Sequence, residues 1–142
     1  MALYNSRYCI LILLFSNKPV VNKSFFFPES FIEQIESWKK DKFFETSAVA
    51  TILEEVRKKS FVVITGPSGM GKSTIVKLVA LQLQKTKDYH ILPVICPTDI
   101  VKYFEPNIKQ IYIIDDICGK FSVDQSMINS WERVKCQILK YC

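Results

Sequence analysis

Phe61, Val62, Val63, Ile64 and Thr65 form a short unbroken apolar run rich in β-branched residues, the composition of a strand buried on both faces. The run stops at a glycine-rich octet, Gly66-Pro67-Ser68-Gly69-Met70-Gly71-Lys72-Ser73. From Lys72 onward Ile75, Val76, Val79 and Leu83 recur at helical spacing. A chain with this strand, loop and helix in succession is committed to an α/β fold in which the loop opens at one end of a sheet.

The octet fits GxxxxGK followed by Ser or Thr in full, in the strand-to-helix context the pattern requires. Its glycines let the backbone curl until successive amides point inward, and the helix that follows adds its dipole and unpaired N–H groups. The result is a cradle for nucleotide phosphates. Lys72 can reach the β- and γ-phosphates, the Ser73 hydroxyl suits one vertex of a magnesium octahedron, and Thr74 is an accessory phosphate contact. A glycine loop serving only as a turn would need neither Lys nor Ser at those places.

A magnesium site also needs a carboxylate at the end of a neighbouring strand. Ile111, Tyr112, Ile113 and Ile114 are followed by Asp115 and Asp116, a Walker B pattern. Asp115 is placed to hold the metal, usually through a water, and Asp116 to orient or deprotonate an attacking water. Alone, such a run is as often a strand end with a solvated turn; a complete phosphate loop upstream favours function.

Elsewhere the pattern alternates helices and strands. Pro28 and Glu29 suit the first turn of a helix carrying Phe31, Ile32, Ile35 and Trp38, and Thr46 can cap a second with Val49, Ile52, Leu53 and Val56. Residues 90–96 read as a strand that Pro93 demotes toward an edge, ended by Pro97. Asp124 can cap a last helix bearing Met127, Ile128, Trp131, Val134, Ile138 and Leu139. Such alternation implies a parallel sheet. The expected fold is α/β: a three-layer P-loop sheet of parallel strands with helices on both faces, incomplete at the C-terminus. Residues 28–142 form this partial domain, and residues 1–27 are a leader or an extra strand.

Composition narrows the function. With 142 residues there is room for one domain with a core. The net charge of +5 comes from scattered basic residues, with Arg57, Lys58 and Lys59 and the Lys39, Lys40, Lys42 group reading as solvated helix ends, so no nucleic-acid surface is indicated. The five cysteines, Cys9, Cys96, Cys118, Cys136 and Cys142, form no CxxC pair, which fits reduced thiols in the cytoplasm. Residues 8–15 are apolar but far shorter than the roughly 20 residues that span a bilayer. Arg7 before them gives them some likeness to a signal peptide, without a convincing cleavage site.

With both motifs in view the chain resembles the novel STAND NTPases, in particular the third group so named. The residues that carry the likeness are Phe44-Glu45-Thr46 after the Trp38 helix, the strand and octet through Ser73, Ile113-Ile114-Asp115-Asp116-Ile117-Cys118-Gly119-Lys120-Phe121, then Asp124-Gln125-Ser126 and Trp131. The resemblance implies ATP and ADP as ligands, Mg2+ as cofactor, slow ATP hydrolysis, a nucleotide-dependent signalling switch of innate-immune type, and homo-oligomer or signalling-protein partners. By the same analogy Phe44 and Glu45 lie where the adenine is flanked, although a core aromatic beside a solvated acid accounts for them as well. The family pattern also sets a further strand between the phosphate-loop strand and the acidic strand, and adds later arginine contacts. This chain ends at Cys142 after one more helix, so residues 8–15 fill that place or the sheet keeps an open slot that recruits another chain.

Two other classes stay open. A small-molecule or nucleotide kinase would share the loop but needs an acceptor site with arginines, and Arg7, Arg57 and Arg133 form no such cluster. A non-hydrolysing interaction module would bind nucleotide only to stabilise its fold. Neither an LSGGQ-like transporter signature nor an NKxD guanine-reading motif is present, which favours ATP.

Overall fold

The sheet is organised around strands that alternate in which side they bury. The computed structural model describes residues 9–16, 27–43, 46–59, 61–66, 71–105, 108–115, 125–126, 129–130 and 133. Among them the elements run β1 (Cys9–Ser16), α1 (Glu29–Lys40), α2 (Ser47–Lys58), β2 (Phe61–Thr65), α3 (Lys72–Lys87), β3 (His90–Val94), α4 (Pro97–Tyr103) and β4 (Lys109–Ile114). Four strands pair in the order β2-β1-β4-β3.

Successive residues of β3 and β4 enter different clusters, as the period of two demands. Leu92, Val94, Tyr112 and Ile114 pack with Ile100 of α4 and with Phe31 at the start of α1. Ile91, Ile111 and Ile113 pack with Val49 and Val56 of α2, Val76, Val79, Ala80 and Leu83 of α3, and Ile35 and Trp38 of α1. Helices therefore cover both faces. A strand apolar at every position is explained by this double burial. In α1 the inward positions are Phe31, Ile35 and Trp38, whereas Ile32, which fits the same spacing, is 53 % exposed.

The strands are not all parallel, which corrects the expectation of a parallel sheet. Only β3 and β4 pair in parallel. β1 runs antiparallel to both neighbours, with Leu11, Ile12 and Leu13 paired to Val63, Val62 and Phe61 on one side and to Ile114, Ile113 and Tyr112 on the other. The physical reason is where the chain re-enters. Leu13 faces Phe61, so residues 17–60 leave and return at the same end of the sheet, and a strand that starts where its neighbour finished runs the opposite way. β1 thus lies in the slot between β2, which leads into Gly66, and β4, which leads into Asp115.

Local signals are partly obeyed. Pro28 and Thr46 stand at the N-caps of α1 and α2, but neither caps with its side chain; Val49 N–H bonds the Thr46 carbonyl at 3.1 Å instead. Pro93 lies in β3, which ends the sheet among the described residues. β3 stops at Val94, short of the expected residue 96, and Pro97 opens α4 at its first position, where a missing N–H costs nothing. Asp88 closes α3 in the left-handed region, φ 58°, which Asp tolerates better than most residues. Gln125, Ser126, Asn129, Ser130 and Arg133 are helical, in keeping with the expected last helix, whose apolar residues lie outside the described ones.

One buried polar group ties α4 to the sheet. Gln110, fully buried in β4, donates from Nε2 to the Tyr103 carbonyl at 2.8 Å and accepts at Oε1 from the Glu105 N–H at 3.0 Å. Gln110→Ala removes the side-chain partner of two half-buried backbone groups, the Tyr103 carbonyl and the Glu105 amide, at a net of about 1 kcal/mol for each hydrogen bond, so urea denaturation is expected to show a loss of about 2 kcal/mol. The Tyr112 hydroxyl donates to the same Oε1 at 3.4 Å. Burial pushes the Tyr112 phenol well above the usual tyrosine range, more than its hydrogen bond to Gln110 pulls it down. The folded chain then holds this proton at pH values where the unfolded chain, with a pKa of about 10, has released it. Unfolding releases a proton there, so stability is intact below about pH 10 and falls as pH rises above it. Melting curves from pH 8 to 11 should show wild type losing more stability at the alkaline end than Tyr112→Phe.

Candidate functional site

β2 and β4 deliver two chain segments to the same end of the sheet. β2 ends at Thr65 and leads into Gly66, and β4 ends at Ile114 and leads into Asp115. α3 begins at Lys72 with Gly71 as its N-cap at φ 75°, a left-handed conformation that a side chain would strain by roughly 1–2 kcal/mol. That turn aims the first residues of α3 back toward the strand end.

Four sequence-predicted residues pair there, Lys72 with Gly66 and Ser73 with Asp115. The Lys72 ammonium donates to the Gly66 carbonyl at 2.8 Å, closing the mouth of the loop across six residues. A Cβ built on Gly66 would lie 3.6 Å from Lys72 Cδ, in ordinary van der Waals contact, so the lysine stem runs over the side of Gly66 where another residue would carry its side chain. The Ser73 hydroxyl donates to Asp115 Oδ2 at 3.3 Å, across 42 residues of sequence. Ser73, Thr74 and Asp115 are exposed, and Lys72 is half-buried. Pro67, Ser68, Gly69, Met70 and Asp116, together with Phe44 and Glu45, lie outside the described residues.

The arrangement places a cation and hydroxyl on a helix N-terminus opposite a carboxylate on a strand end. A helix start favours anions through its free N–H groups and dipole, and a hydroxyl beside a carboxylate offers a hard cation two oxygens. Two neighbouring ligands of an octahedral magnesium, each at 2.0–2.1 Å, stand about 2.9 Å apart. The 3.3 Å separation of Ser73 Oγ and Asp115 Oδ2 is close to that spacing. Among the described residues there is no group of three or more His, Cys, Asp or Glu that would form an all-protein metal cage. Magnesium in phosphate sites needs none, because phosphates and waters complete its shell.

At the start of α4 lies a cluster that the sequence reading passed over. Cys96, the N-cap of α4, has its thiol 3.2 Å from Thr98 Oγ1 and donates to Asp99 Oδ2 at 3.3 Å. The thiol bonds side chains of the first turn and does not cap the helix backbone. The signal that could have found it is Pro97 at a helix start preceded by a small polar side chain. No helix among the described residues is long and apolar enough to cross a membrane.

No curated protein and no solved structure matches the chain. A family model does, over residues 43–142, the region that holds β2, the loop, α3 and β4 but neither β1 nor α1. That match covers most of the chain and coincides with the converging residues, so the chain belongs to the family described as Novel STAND NTPase 3 and is by family a nucleotide-binding NTPase module.

Proposed function

We propose that the chain is an ATP-binding P-loop module of STAND type, a nucleotide-dependent signalling switch with slow ATP hydrolysis, working in the cytoplasm. The observation that carries this reading is the contact between Ser73 and Asp115, which joins the phosphate loop to the acidic strand end. In this reading Gly66, Pro67, Ser68, Gly69, Met70, Gly71 and Lys72 cradle the phosphates, with Thr74 as an accessory contact. Ser73 and Asp115 hold Mg2+, which neutralises charge on the β- and γ-phosphates when bound.

Lys72 leaves the Gly66 carbonyl to meet phosphate oxygens, a charge-assisted exchange that favours the bound state. Asp116 orients a water toward the γ-phosphorus and accepts its proton. The water oxygen then forms the new P–O bond as the bond to the bridging oxygen breaks, giving ADP and inorganic phosphate. The expected partners are ATP and ADP, with a second copy or a signalling protein responding to which of them is bound; an innate-immune setting rests on family resemblance alone.

Asp115→Ala tests the reading. It is expected to lower ATP affinity in magnesium by roughly tenfold or more while leaving affinity in EDTA within about twofold, because the carboxylate acts through the metal. Equal loss in both conditions would argue against a metal-holding role. Phosphate release from the same samples separates a hydrolysing switch from a module that only binds.

A further inference from the structure

β1 lies outside the residues that match the family, yet it occupies the position between the two strands that carry the site. Its middle residues are paired on both sides at once, so β2 and β4 do not pair with each other and their backbones are held at a distance set by β1. Adjacent strands stand about 4.8 Å apart, which puts β2 and β4 about 10 Å apart across it. Cys9 is level with Thr65, and Leu11 with Ile114, so the N-terminal end of β1 enters the sheet between the segments leading to Gly66 and Asp115. The Ser73 to Asp115 contact joins those same two segments.

We propose that β1 is a nucleotide-coupled strand: its pairing between β2 and β4 sets the spacing of the phosphate loop against Asp115, so that magnesium–nucleotide binding and β1 insertion stabilise each other. The inference rests on the nucleotide reading above. A ligand gripped by both segments has its full affinity only when they are in register, and by linkage it must strengthen whatever keeps them so. Phosphates alone engage only the loop side. The metal brings in Asp115, so the coupling depends on magnesium.

Hydrogen exchange on the full chain reads this directly, with ATP and magnesium, ATP and EDTA, or no nucleotide. With Mg-ATP at 100 times its Kd, amides of Cys9–Ser16 are expected to slow by up to about 100-fold. That slowing should exceed the slowing in His90–Val94, which pairs with β4 alone among the described residues and reports general stabilisation. EDTA should remove most of the excess. Ile12→Pro, which deletes a ladder hydrogen bond from the doubly paired part of β1, should weaken Mg-ATP binding by a factor in the range of roughly 5 to 150. Should that variant not fold, the wild-type exchange still decides. A wild type that binds Mg-ATP yet protects β1 no more than β3 overturns the coupling and spares the nucleotide reading; a folded wild type that binds no nucleotide overturns both.

Discussion

Lys72→Ala is expected to lower ATP affinity by roughly 10²- to 10³-fold while leaving the fold intact, because removing one partner of a desolvated charge pair costs about 2–5 kcal/mol. The lysine is the first residue of α3 and its ammonium sits on the Gly66 carbonyl. In the ligand-bound state it gives the loop its one side-chain cation among Gly66 to Ser73. Backbone amides and the helix dipole remain in the variant, so residual weak binding is expected. Lys72 is half-buried rather than part of the core, which is why melting temperature should change little. Isothermal titration beside a thermal melt of the same sample separates the two effects.

Deleting residues 1–16 is expected to abolish cooperative unfolding. β1 pairs along five positions with β2 and six with β4. That amounts to on the order of ten ladder hydrogen bonds at a net of about 1 kcal/mol each, which rivals the 5–15 kcal/mol that holds a domain of this size together. The deletion also exposes the facing edges of β2 and β4, and open edges recruit other strands. Circular dichroism during heating and light scattering at rest should show a broad transition and self-association. A sharp two-state melt of a monomeric truncated chain would show that β1 is dispensable for the fold.

The strand and helix on either side of the octet were legible because the β-branched run of β2 and the stripe of Val76, Val79 and Leu83, all buried in α3, agree with each other at one place. Asp115 was readable only as the partner of that loop, since an acid after an apolar strand is common; its approach to Ser73 needs the tertiary fold. The direction of β1 was not legible. An eight-residue apolar run carries no sign of which end of the sheet it enters, and that is decided by where residues 17–60 return. α4 was hidden because Pro97 ends a strand and starts a helix equally well, and only the burial of Ile100 against Leu92 and Tyr112 selects the helix. The role of Gln110 was also invisible, since a polar residue two before a tyrosine in a strand gives no hint that it bonds the loop after α4.

The most direct test of the nucleotide site is equilibrium binding of ATP to the full-length wild-type chain with and without magnesium. Saturable binding of one ATP per chain, tighter with magnesium than in EDTA, is the predicted result. A chain that melts cooperatively yet shows no ATP binding at millimolar nucleotide would contradict it.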